Sequence, residues 1–248
     1  MSAFRPKYVQ TSVSLEEPQT FITMDSDDVI AKLASDLDLI MEKLSEKPLV
    51  DGKPIDQTPV ALLVVALITS NMRALKSQTT KFEAMKLLHK FVPIMGASVV
   101  ADRILPYMVD MLSDSMVQVR CEAIYSITTL LSSFREIPHN ETRLFIDYLF
   151  PILKNMSSDK HFLVRMTLAQ NLGDLAETSF RFMHEGSQNL TEDLLGGSVA
   201  EMDDKEREAK LAKQEMKALH EAVIEIFVNL CGSDNTVKVF FLHPHNRI

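Results

Sequence analysis

Tryptophan is absent from this chain of 248 residues, glycine occurs only 7 times and cysteine twice. So little glycine argues against a turn-rich sheet protein, and 14 methionines point instead to helices with irregular gaps to fill between them. Cys121 and Cys231 each stand in an apolar helical pattern and read as buried free thiols. Neither belongs to a pair-of-pairs spacing, so no metal site is expected of them. The longest apolar run, Val60 to Ile68, is nine residues, where a bilayer span needs about 20. The opening MSAFRPKYVQ has no apolar stretch of a secretory leader. These absences read as a soluble, cytoplasmic protein. Basic residues are in deficit, 26 Lys and Arg against 34 Asp and Glu, for a formal charge of −8. That balance argues against a nucleic-acid binder, which needs a basic face to displace counterions from phosphate.

Catalytic signatures are missing as well. His220-Glu221-Ala222-Val223-Ile224 starts like a zinc-protease helix but has Ile where the second histidine ligand must stand. His243-Pro244-His245 has no third ligand beside it, and Asp25-x-Asp27 lacks the Gly and Glu of a calcium loop, which leaves helix capping as its reading. No nucleophile elbow, Gly-rich ATP loop, His-Arg-Asp loop or Asp-Phe-Gly triplet occurs, so the chain is not itself a protein-kinase domain. No cofactor and no catalytic residue is expected.

What the chain does have is a repeat. Residues 103–131 read RILPYMVDMLSDSMVQVRCEAIYSITTLL, two apolar segments separated by Ser113-Asp114-Ser115, and the same grammar returns 45 residues later. Pro106 maps onto Pro151, Asp114 onto Asp159, Val119 onto Val164 and Arg120 onto Arg165. A helix-pair period in the forties is the signature of a HEAT or armadillo array. Lys81-Phe82-Glu83-Ala84 echoes Arg120-Cys121-Glu122-Ala123 at an offset of 39, which adds an earlier unit.

The expected fold is therefore all-α: a HEAT-type solenoid of about three repeats, at about 59–95, 99–134 and 141–184, with a partial terminal one. Residues 1–58 read as an extended lead-in with one helix at about 26–45 and a Pro-rich linker; 59–185 hold the repeats. An acidic flexible insertion is expected at 186–214, then a partial repeat and irregular tail at 215–248. The start of 60–75 is apolar on nearly every side, which marks a buried helix. Pro106 and Pro151 should kink the first helices. Asp114 and Asp159 should cap the second helices, and with Arg120 and Arg165 form a ladder of bonds between repeats. Val119 and Val164 should lie inside a stacked helix.

The matched segments also resemble one family. The run ADRILPYMVDMLSDSMVQVRCEAIYSITTLL, then Glu136-Ile137-Pro138, then YLFPILKNMSSDKHFLVRMTLAQNLGDLAETSFRF and, after an acidic stretch, Ala218-Leu219-His220-Glu221 are similar to the HEAT-repeat region of the large kinase-like regulatory subunits of class III phosphatidylinositol 3-kinase. The resemblance covers about residues 59–238 and is most specific in the LAETSFRF ending. It implies a non-catalytic scaffold that helps hold the lipid kinase catalytic subunit and a Beclin-type subunit. It also implies peripheral attachment to endosomal and autophagosomal membranes through that complex, supporting phosphatidylinositol 3-phosphate production in endosomal sorting and autophagy. In that family a kinase-like domain precedes this region and a WD-repeat propeller follows it. Neither is present here, so the chain reads as a fragment. A HEAT adaptor of another class, a transport receptor or phosphatase scaffold, is the alternative.

Overall fold

The computed structural model describes residues 24–46, 49–50, 53–54, 56–134, 143–192 and 201–233. Asp25 opens the first helix, its carboxylate accepting from the Ser26 N–H at 2.8 Å, with Asp27 and Asp28 in the positive first turn. Where one helix is expected, the structure has two, α1 (Ser26–Ser35) and α2 (Leu37–Ser45), parted at Asp36. Ser35 donates to the Lys32 carbonyl at 3.0 Å and Lys32 pairs with Asp36 at 3.0 Å. Such local bonds let the backbone leave the helix for one residue. The expected linker carries a small antiparallel pair, β1 (Leu49–Val50) against β2 (Lys53–Pro54).

From Thr58 onward the chain is an all-α solenoid of stacked helix pairs. The first pair is α3 (Thr58–Met72) with α4 (Gln78–Phe91). In the second, α5 (Ala97–Arg103) and α6 (Leu105–Asp110) pack on α7 (Val117–Ser132). The third has a π-helical stretch, Leu144–Leu149, running into α8 (Phe150–Met156), with α9 (Phe162–Glu192) as its partner. The last described helix, α10 (Glu201–Ser233), packs on α8 and α9. The core is continuous along the array, from Ile30 through Phe91, Ile104 and Met108 to Phe145, Phe150 and Phe182. Phe145 touches both Phe150 and Phe182, with ring centroids 5.8 and 5.5 Å away.

Three further elements differ from expectation. Pro106 and Pro151 do not bend a running helix. Each sits in the first turn of a new one, α6 or α8, after a break at Ile104 or the π-helical stretch. A missing N–H is harmless in a first turn, and the fixed φ suits it, so the first helix of these units is built in two pieces. The acidic stretch at 186–214 is helical at both ends, since α9 continues to Glu192 and α10 begins at Glu201. Ala, Glu, Lys, Arg and Met dominate 201–216, all strong helix formers, and propensity outweighs the low apolar content there. The third difference is α3, whose outer face is wet and is taken up below.

The lead-in before Met24, Gly196-Gly197-Ser198, the turn at Asp234 and the tail beyond it, including His243 and His245, lie outside the described residues. Among the described residues no helix is long and apolar enough to cross a membrane.

Candidate functional site

The repeat positions come together as a ladder. Asp114 closes the turn before α7, whose N-cap is Met116, its Oδ1 accepting from the Met116 N–H at 2.8 Å, while its Oδ2 meets Lys81 Nζ of the preceding unit at 2.5 Å. Asp159 does the same one unit on. It accepts from the His161 N–H at 2.8 Å and takes a two-pronged bond from Arg120, Nε at 2.9 Å and Nη2 at 3.0 Å. The third nitrogen of Arg120 donates to the Asp114 carbonyl at 2.8 Å, so one guanidinium ties two turns together. Arg165 repeats that inner bond, its Nη1 donating to the Asp159 carbonyl at 2.6 Å. Both rungs are buried: side-chain exposure is 9% and 8% for Lys81 and Asp114, and 6% and 9% for Arg120 and Asp159. Val119 and Val164 are fully buried beside them.

Sequence reasoning missed the first rung. The turn between α3 and α4 has Leu75 where later units have Asp, and the carboxylate comes instead from Asp27 on α1. Asp27 accepts from the backbone N–H of Lys76 at 3.1 Å and of Ser77 at 3.2 Å, and from the Thr80 hydroxyl. The Thr80 bond is the chief reason its carboxyl is held below the ordinary aspartate value, with the two N–H groups adding to it against the effect of burial. Since Asp27 holds the turn before α4 from another helix, Asp27→Ala is expected to cost about 1 kcal/mol. Amide exchange should quicken in α1 and the start of α4 and stay unchanged in α7. Equal protection of α1 in the variant would show that its apolar contacts alone dock it.

The ladder makes a pH prediction. Burial pushes the Asp159 carboxyl up, but the Arg120 guanidinium and the His161 N–H outweigh that and hold it below its ordinary 3.8. A folded-state value below the unfolded one gives stability that is complete above about pH 4 and is lost as pH falls through the folded value. Between pH 6 and pH 3 the melting temperature of Asp159→Asn should therefore fall less than that of the wild type, as read by circular dichroism. Parallel falls would mean that this carboxylate plays no part in acid unfolding.

The LAETSFRF ending binds four elements together. Thr178 meets the Ser132 hydroxyl at 3.2 Å, and Arg181 donates to the Phe134 carbonyl at 3.0 Å, which joins α9 to the end of α7. Phe182 fills the core against Phe145, and Phe180 lies 6.1 Å from the His220 ring of α10.

None of this forms a reaction centre, and among the described residues no three His, Cys, Asp or Glu side chains gather where they could hold a metal. The surface feature that stands out is α3. Its fifteen residues contain no charged side chain, and a helix apolar all round is ordinarily buried. Here only one side is covered, that of Ala61, Val65, Ile68, Thr69 and Met72. Val60, Leu63 and Leu67 are 48%, 72% and 45% exposed. Beside them a groove of about 410 Å³ runs between α3 and the α5–α6 corner, with Leu62, Leu63 and Ala66 on one wall and Arg103 and Tyr107 on the other. Arg73 is bonded to Asp110 at 2.7 Å and lies over the Tyr107 ring.

Comparison with known proteins places these features in context. Residues 64–248 match the family described as PIK3R4-like, middle domain. The chain is similar to the serine/threonine-protein kinase VPS15 of Arabidopsis thaliana, 30% identical over 122 residues, which are 49% of this chain and 8% of that protein. The VPS15 of Saccharomyces cerevisiae is 29% identical over 125 residues, again 49% of this chain and 9% of the relative. The vps15 of Schizosaccharomyces pombe is 26% identical over 148 residues, 60% of this chain and 8% of the relative. The chain thus spans less than a tenth of the length of these relatives.

Proposed function

Because the chain belongs to the PIK3R4-like family and carries its middle domain, we propose that it serves as a helical scaffold in the regulatory subunit of a class III phosphatidylinositol 3-kinase complex. The observation that carries the reading is the family match over 64–248, most of which lies on repeats joined by buried ladder rungs. Stacked helix pairs with buried ties present an extended surface of fixed shape, which suits the holding of protein partners. In this reading the protein-kinase activity named for the relatives belongs to another part of them, and this segment positions rather than catalyses. Its partners are the lipid kinase catalytic subunit and a Beclin-type subunit. Its place is on endosomal and autophagosomal membranes, reached through the complex, where phosphatidylinositol 3-phosphate is made for sorting and autophagy.

The test is affinity recovery from cell extract with the whole 248-residue chain as bait. Recovery of the lipid kinase and Beclin-type subunits together supports the proposal. Recovery of nuclear transport or phosphatase subunits in their place would assign the chain to a different class of HEAT adaptor.

A further inference from the structure

The groove beside α3 asks for a cover. Three large apolar side chains stand in water on one helix face, three and four residues apart, so they form a single ridge about 10 Å long. Exposed apolar side chains are ordinary when scattered, but a contiguous ridge beside a groove marks a contact surface. The two walls define what would fit. The α3 wall carries no charge over Thr58–Met72 and has its backbone bonded within the helix. An extended peptide laid on it would find no edge to pair with and would leave its own N–H and C=O groups dry and unbonded. A helix brings its backbone already satisfied.

The opposite wall carries Arg103, which is exposed and enters no ion pair among the described residues. Asp110, three residues beyond Tyr107 on α6, is already matched by Arg73. The groove therefore presents one unmatched positive charge at the edge of an apolar trough. A second copy of this chain is a poor match: a two-fold pairing of α3 faces would bring in another uncharged wall and another Arg103, with no acid on either α3 to meet it.

We infer that this groove docks one amphipathic helix of a partner protein, with about two turns of apolar side chains on Val60, Leu63 and Leu67 and a carboxylate facing Arg103. The inference rests on the regulatory-subunit reading and names a contact within it.

The test places a photo-cross-linking amino acid at Ser70, an exposed residue that lines the groove without belonging to the ridge, in the whole chain assembled with the lipid-kinase subunits. Assembly is scored separately by size exclusion. The expected result is an adduct on another subunit, in a stretch with apolar residues three and four apart and a Glu or Asp beside them. Adduct yield should drop roughly fivefold or more in Leu63→Glu and in Arg103→Glu, where a carboxylate would meet the apolar face or the partner's acid. Both changes are exposed and should leave the melting curve unchanged, so loss of the adduct would not reflect unfolding. An adduct within the same chain, an adduct between two copies, or yields indifferent to both substitutions would overturn the inference. An assembled complex with no adduct would also overturn it while leaving the regulatory reading intact. Failure of the unsubstituted chain to enter the complex would remove both.

Discussion

Val119→Asp and Val164→Asp are each expected to abolish cooperative melting of the chain. Both valines are fully buried, three residues into the second helix of their unit and next to a ladder rung. A carboxylate at either place loses its hydration, and the neighbouring rung's cations, Lys81 and Arg120, are already matched by Asp114 and Asp159. The cost is several kcal/mol, against a total margin of about 5–15 kcal/mol for a typical domain. Tyr125→Asp supplies the contrast. Tyr125 lies on the same helix as Val119 but is 57% exposed, and this change should leave the melting temperature near that of wild type. A Val119→Asp or Val164→Asp protein that melts within a degree of wild type would mean that the repeat register is wrong.

Arg120→Ala should be nearly as damaging. The substitution removes the bonds to Asp159 and to the Asp114 carbonyl and leaves a carboxylate that is only 9% exposed without its counter-charge. Breaking a buried pair from one side costs about 3–5 kcal/mol, most of it from the charge left behind. The double variant Arg120→Met with Asp159→Asn removes both charges and keeps much of the packing. It should recover at least half of the loss, because desolvating the original pair was itself expensive. Urea unfolding of the single and double variants measures this directly. A single variant less than 1 kcal/mol below wild type would show that solvent reaches Asp159 and that the rung is ornamental.

The ladder was legible because its parts recur at fixed offsets. Asp114 and Asp159, and Arg120 and Arg165, stand in matching places, and the echo at Lys81 extends the series one unit back. Asp27 was not legible. It does the work of a repeat Asp from a helix outside the array, some fifty residues from the N–H groups it holds, and no period could point to it. The two prolines were read for what proline does inside a helix. They stand in first turns, and that distinction depends on where the preceding turn ends, which Ile104 and the π-helical stretch decide through packing. The outer face of α3 was misread for a related reason. An all-apolar pattern cannot tell a helix covered on every side from one left half open, since hydrophobicity records what a helix needs and not what this chain supplies. The docking face was therefore legible only as a conflict between pattern and burial.

The two rungs differ in one respect. Lys81 reaches an aspartate 33 residues ahead, and Arg120 reaches one 39 residues ahead. Six more residues intervene in the second case, yet both aspartates accept from the backbone N–H two residues on and both meet a cation from the unit behind. The additional residues are taken up between the start of α7 and Pro151, since the interval from each proline to the rest of its unit is unchanged. The step from one helix pair to the next is thus gauged by the reach of a single cationic side chain, not by the length of chain paid out between them. Loop length enters the free energy only through a slowly growing logarithm. The interval between Arg120 and Pro151 is consequently where the chain is free to drift in length over generations while the rung that spans it is kept.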